Sequence, residues 1–252
     1  MRSIGTIMKL PNIALTLVAC TIAPALAEFS FDIESGAVWS DQSEVRIPNE
    51  GGTLFSLADD LKADDPRAFF RGRVTWHINP KHDVSALFAP LQMDYSGSFD
   101  RPVSFAGSDF LADTPTSAVF RFDSYRLTYR YNFLRTETVT FGIGLTAKIR
   151  DAEVSVTQNG RTTTDDNLGV VPLINYQFAW RFAQDFSLYS EGDALAAPQG
   201  YAVDVSAALQ WHVTDHFAVR LGYRILDGGA DSDSVYTFSR FHYATVGATV
   251  RF

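Results

Sequence analysis

Polar and apolar residues alternate along most of this chain. Over 119–134, Tyr125, Leu127, Tyr129, Tyr131 and Phe133 fall on one parity and Ser124, Arg126, Thr128, Arg130 and Asn132 on the other. A period of two predicts a strand with one greasy and one wet face. The pattern recurs at 69–78, where Phe70, Val74, Trp76 and Ile78 oppose Arg71, Arg73, Thr75 and His77. From 139, Val139, Phe141, Ile143, Leu145 and Ala147 oppose Thr140, Gly142, Gly144, Thr146 and Lys148. At 170–182, Ile174, Tyr176, Phe178, Trp180 and Phe182 oppose Asn175, Gln177, Ala179 and Arg181. Further strands are predicted at 28–39, 84–95, 186–195, 201–213 and from 217, with a tenth ending at Phe252. No long stretch keeps helical spacing.

The connections alternate as well. Short turns follow strands two, four, six and eight, as in Asn79-Pro80-Lys81-His82-Asp83 and Thr214-Asp215-His216, which carry turn-forming residues. The other side has longer links at 40–68, 96–118, 157–169 and 227–234, with 196–200 a short fifth. An even strand number puts both termini on the side of the short turns. A soluble sandwich core would alternate too, so the ends of the chain decide between the two.

In the last strand Val250, Ala248, Val246 and Ala244 share one face, Arg251, Thr249, Gly247, Thr245 and Tyr243 the other, and the chain stops on Phe252. Residues 1–27 read as a secretory signal, with Arg2 and Lys9 in the n-region, an apolar 13–22 and an Ala25-Leu26-Ala27 cleavage site. Signal and terminal aromatic strand together resemble the small bacterial outer-membrane β-barrel proteins. The expectation is therefore an all-β fold, an antiparallel up-and-down transmembrane β-barrel of about ten strands, with eight or twelve as alternatives, over a domain 28–252. The resemblance implies a bacterial outer-membrane location, contact with outer-membrane lipid and lipopolysaccharide, delivery by the barrel-assembly machinery through Phe252 as assembly signal, and a monomer. No cofactor and no metal site is expected.

Composition narrows this further. The chain has 21 Lys+Arg against 29 Asp+Glu, a net charge of −8, and residues 1–27 remove only basic ones, which argues against a nucleic-acid partner. A mean hydropathy of −0.03 is too low for a helical membrane protein, whereas a barrel needs only alternate residues apolar. Cys20, the one cysteine, lies in Leu17-Val18-Ala19-Cys20, which looks like a lipobox; the plainer reading makes it part of the signal's apolar stretch. Trp76, Phe133, Trp180, Phe182, Trp211, Phe217 and Phe252 cluster beside the short turns, where an aromatic girdle at one membrane interface belongs.

Placing the aromatic face against lipid turns Arg71, Arg73, Arg126, Arg130, Lys148, Arg150, Arg181, Arg220 and Arg224 inward, with Asp32, Glu34, Glu191, Asp193 and Asp204 available to pair with them. A charge facing mid-bilayer costs about 2–4 kcal/mol, so the polar face must line the lumen. The leading expectation is a non-enzymatic barrel with a charged, largely filled lumen and a structural or surface-binding role. The excess of inward basic groups leaves a narrow anion-preferring channel as the alternative.

Catalysis has weaker support. Omptin-like proteases are ten-stranded barrels with paired acidic residues and an Asp-His pair at the extracellular rim, and the chain has Asp59-Asp60, Asp165-Asp166 and Asp215-His216. Asp215-His216, however, falls in a turn expected on the periplasmic side. A lipid-modifying hydrolase using His242 and Ser239 is a second alternative; Ala244 stands where the His-x-Ser pattern of lipid A deacylases has a hydroxyl. In the 40–68 link, Val45-Arg46-Ile47-Pro48 and Thr53-Leu54-Phe55-Ser56-Leu57 are too apolar for a solvated loop, so this segment is expected to fold over the barrel mouth as a cap or short hairpin.

Overall fold

The structure, a computed structural model, describes residues 28–64 and 66–252. The export signal and Cys20 lie outside the described residues. In chain order the strands are β1 (Glu28–Arg46), β2 (Phe55–Ser56), β3 (Leu61–Ala63), β4 (Arg67–Asn79), β5 (His82–Ala89), β6 (Gln92–Gly97), β7 (Val103–Phe105), β8 (Ser108–Phe110), β9 (Thr116–Arg135), β10 (Val139–Gln158), β11 (Arg161–Arg181), β12 (Phe186–Ala197), β13 (Gly200–His212), β14 (Phe217–Asp231) and β15 (Tyr236–Arg251). Ten of them, β1, β4, β5 and β9 to β15, pair antiparallel with their neighbours and close on themselves, since β1 pairs with both β15 and β4, and β9 with both β5 and β10. The fold is a closed ten-stranded barrel, and closure leaves no lipid-facing sheet edge to satisfy around most of the ring.

The alternation sets the two faces. On β9 the residues from Tyr125 to Phe133 that share its odd parity are exposed, while Arg126, Thr128, Arg130 and Asn132 are buried. On β10 the outward row is apolar through Ile149, then becomes Asp151, Glu153, Ser155 and Thr157. Arg121 of β9 meets Asp123, Asp151 and Glu153 there, at 3.0–3.1 Å, so a polar belt sits directly above the apolar one. At the opposite end, near the short turns, ring pairs Phe29–Trp76, Phe133–Phe141 and Trp180–Phe182 form the girdle.

Four predicted boundaries change. β1 runs on to Arg46 beyond a bulge between Ser40 and Gln42. The predicted 84–95 strand breaks at Pro90-Leu91, because proline has no N–H for the ladder; both pieces, β5 and β6, still pair with β9. The predicted 157–169 link is not a loop. β10 and β11 pair continuously from Val139↔Trp180 to Gln158↔Arg161, leaving Asn159 and Gly160, both at positive φ, as the turn. The 227–234 link is likewise mostly strand, since β14 and β15 stay paired to Asp231↔Tyr236.

The tall β10–β11 hairpin stands next to a short one. Pairing of β11 with β12 ends at Ile174↔Ala194, and β12 itself stops at Ala197. Above that level β11 has no partner on this side, and the wall has a notch.

The 40–68 link does fold over the mouth. β2 pairs with β1 and β3 with β6, completing the wall above the start of β4. Phe55, Leu57 and Leu61 enter a core with Phe99 from the segment before β7, Val103 and Phe105 from the β7–β8 hairpin, and Val156 and Phe241 from the barrel wall. Phe55 meets Phe99 and Phe105 edge-on at 5.4 and 5.8 Å, and Arg101 ties the two loops by bonding the Asp60 carboxylate and the Leu54 carbonyl at 3.1 Å. Where first and last strands meet, Gly36 has φ +142°, and a Cβ there would lie 2.1 Å from the Ala244 carbonyl oxygen, a contact only glycine permits.

Candidate functional site

Across the middle of the barrel the inward side chains form a lattice of ion pairs. Asp204 on β13 is its hub, accepting hydrogen bonds from Arg126 of β9 at 2.5 Å, Arg224 of β14 at 2.6 Å and Arg71 of β4 at 3.4 Å. Glu34 of β1 takes Arg224 Nε at 2.9 Å and lies 3.6 Å from Arg71. Glu191 of β12 accepts from both terminal nitrogens of Arg73, from Arg224 at 3.1 Å and from the Tyr189 hydroxyl at 2.8 Å. Asp193 binds Arg126 at 2.7 Å and Thr146 at 2.6 Å. Lower down, Asp32 holds Arg220 through both oxygens, at 2.5 and 2.9 Å. Partners come from strands on opposite sides of the ring. A charge in a low-dielectric interior is costly unless paired, and here each carboxylate meets at least one guanidinium.

A sixth inward carboxylate is Asp83, which the sequence reading placed in a turn although its parity matches Ser85 on the buried face of β5. It lies 3.7 Å from Arg130 and accepts from Asn132 at 2.9 Å. Six arginines thus face six carboxylates. The remaining expected lumen cations stand apart. Arg181 is exposed at the end of the barrel that carries the short turns and makes no ion pair among the described residues. Lys148 is 3% exposed, lies over the Phe122 ring, 4.6 Å from its ammonium, and makes no ion pair among the described residues. Arg150 bonds the side-chain oxygen of Asn167, and its Nε has no partner among the described residues.

The lattice separates two cavities. One, of about 710 Å³, opens between the short turns and is lined by polar groups including Thr75, Arg130, Arg181 and His212. Along its wall Ser30 Oγ lies 3.0 Å from His77 Nε2, and His77 Nδ1 2.7 Å from Asp83 Oδ1, the order of nucleophile, base and orienting carboxylate in serine hydrolases. The three come together only through strand register, as Glu28 pairs with His77 and His77 with Asp83; no local motif announces them. The other cavity, of about 560 Å³, lies on the far side beside the cap and is mostly apolar, with Lys148 and Arg150 in its lining. Asp165 also lines it, and burial, then the neighbouring Asp166 carboxylate, raise its carboxyl above the ordinary value.

The other catalytic candidates do not assemble. Asp215-His216 sits in the turn after β13, at the end where the termini meet. Asp59 and Asp60 are bound to Ser56 and Arg101. His242 points outward onto Trp39, with Asp41 at 2.9 Å and the Tyr223 hydroxyl on its other nitrogen, while Ser239 faces inward toward Ser43 at 3.4 Å. Phe252 is 73% exposed, its backbone paired with Phe29.

A family profile described as "Protein of unknown function, DUF481" matches residues 116–227, from β9 into β14. No curated protein matches by sequence. Among solved structures, the outer membrane protease OmpT from Escherichia coli aligns with a TM-score of 0.54 at 12% identity, over 89% of this chain and 97% of that one. The outer membrane protein OprG from Pseudomonas aeruginosa aligns at 0.40 and 14%, over 90% and 96%, and the attachment invasion locus protein Ail of Yersinia pestis at 0.39 and 14%, over 90% and 99%. The OmpT likeness is one of fold: this chain has the architecture of small outer-membrane β-barrels.

Proposed function

We propose that this is a bacterial outer-membrane barrel with a sealed lumen, acting by binding at its outward-facing mouth and not by conducting solutes. One observation carries the reading: the Asp204 lattice, with Glu34, Arg71, Arg126 and Arg224 all buried, crosses the barrel between the two cavities. Water and ions would have to break several charge-assisted hydrogen bonds to pass. The apolar cap above it and the lipid-facing belt support the same reading. Purified folded protein inserted into planar bilayers is expected to give no steady unit conductance; reproducible anion-selective steps would establish the channel alternative instead.

A second reading, a hydrolase working from the lower cavity, is favoured by the Ser30–His77–Asp83 chain alone. Ser30 is only 7% exposed, and in a sealed barrel these three side chains act as a lock on the rim. A fluorophosphonate probe is therefore expected to leave Ser30 unmodified. Labelling of Ser30 that disappears in His77→Ala would make the protein an enzyme.

A further inference from the structure

Two features that the sealed lumen does not require meet at one place. The first is charge. Every inward arginine of the lattice has a carboxylate, yet Lys148 and Arg150, two residues apart on β10, have none within ion-pair distance among the described residues, and both line the upper cavity. Burying a cation without an anion is unfavourable unless something else supplies the anion. Elsewhere in this cavity the lining is mostly apolar, with Val154, Val171, Leu195 and Leu226; of its carboxylates, Glu153 is paired with Arg121 and Asp227 with Arg240, and burial raises the Asp165 carboxyl above its ordinary value.

The second is the notch. Above Ile174↔Ala194 the edge of β11 is unpaired, at the level where its outward side chains, Val170 and Leu168, are apolar and highly exposed. These pair across to Ile149 and Asp151, so the opening spans the top of the lipid-facing belt. Open sheet edges are avoided in hydrocarbon unless they border a cavity. Pro172, which has no N–H to leave unsatisfied, sits in this stretch. Val171 and Pro172 on one side and Leu195 and Ala197 on the other line the same cavity, which therefore opens sideways toward the membrane.

We propose that the cavity is a binding site for an anionic amphiphile, a phosphate or carboxylate head on a hydrocarbon chain, drawn from the outer leaflet through the β11–β12 notch. Lys148 and Arg150 hold the head by charge-assisted hydrogen bonds, and the chain lies against the apolar lining and leaves through the notch. A volume of about 560 Å³ is within the range of ligand pockets. The inference rests on the sealed-lumen reading, since a conducting pore would keep this cavity flushed with water and ions.

Calorimetric titration of the folded protein in nonionic micelles tests the head group. Dodecyl phosphate and dodecanoate are expected to bind saturably, dodecanol and inorganic phosphate not. Lys148→Met should weaken both anions by about tenfold or more, the loss of a charged partner being worth at least that factor. Ala202→Trp, which fills the cavity without removing charge, should abolish binding in a barrel that still migrates as folded on unheated gels. Equal binding of dodecanol, or unchanged affinity in both variants, overturns the site. A diazirine-bearing hexadecanoate preloaded into vesicles tests the route: adducts at 168–173 and 195–197 support it, and adducts confined to outward positions such as Leu127 and Leu145 overturn it. Silent bilayers without anion binding would sink this inference alone, whereas conductance steps would sink the sealed lumen.

Discussion

Asp204→Ala is expected to destabilise the barrel by about 3–5 kcal/mol, the range for breaking a buried ion pair and stranding its partner. Asp204 is 2% exposed and is the shared acceptor of Arg71, Arg126 and Arg224. Its removal leaves three buried guanidinium groups facing one vacated point. Arg224 keeps Glu34 and Glu191, and Arg126 keeps Asp193, so the lattice is weakened and not erased. Asp204→Asn retains an acceptor oxygen and should lose less. Arg181→Ala, at an exposed position with no ion pair, should stay within about 0.5 kcal/mol of the parent. Urea titrations of the refolded protein, followed by tryptophan fluorescence, read all three. An unmoved midpoint for Asp204→Ala would mean that the lattice contributes nothing to stability.

Leu145→Arg is expected to cost about 2–4 kcal/mol when unfolding is measured from lipid vesicles, the penalty for a cation at the midplane of a lipid-facing barrel wall. Leu145 is 68% exposed, and in a water-soluble protein such a substitution is nearly neutral. It sits in the middle of the outward apolar row of β10, between Phe141 and Ile149. Thr157→Arg on the same strand and the same face, above the Asp151 belt, should cost almost nothing. Equal stabilities for the two variants would show that the apolar belt does not face lipid.

Much of this architecture was legible in the chain because lipid outside and charge inside impose strict alternation on each strand. The strands β4, β9, β10 and β11 are marked most clearly that way, the strand at 186–195 less so, and Arg126, Arg130 and Lys148 can be assigned inward from parity alone. Parity names a face but not a partner. That Asp204 would gather three arginines depends on the stagger of strands across the ring, which no local pattern encodes. The alternation also fades where both faces meet water. Thr162-Thr163-Thr164-Asp165-Asp166-Asn167 has a loop's composition, yet it pairs residue by residue with β10. The β7–β8 hairpin was missed for the opposite reason: Phe99, Val103, Phe105 and Phe110 follow no period because they fill an irregular cap. Ser30, His77 and Asp83 belong to three strands, and only Asp83's parity hinted at its place.

Because Glu34 on the first barrel strand answers to Arg224 on the ninth, and Arg71 on the second to Asp204 on the eighth, each half of the ring completes ion pairs begun by the other. A half-built sheet would expose bare guanidinium and carboxylate groups to hydrocarbon, so partial structures are penalised until the ring shuts. The β1–β15 ladder joins residues as far apart as Ser30 and Arg251, making closure the event that satisfies the rest. Closing the ring and neutralising its interior are therefore one step, with β1 and β15 as the clasp.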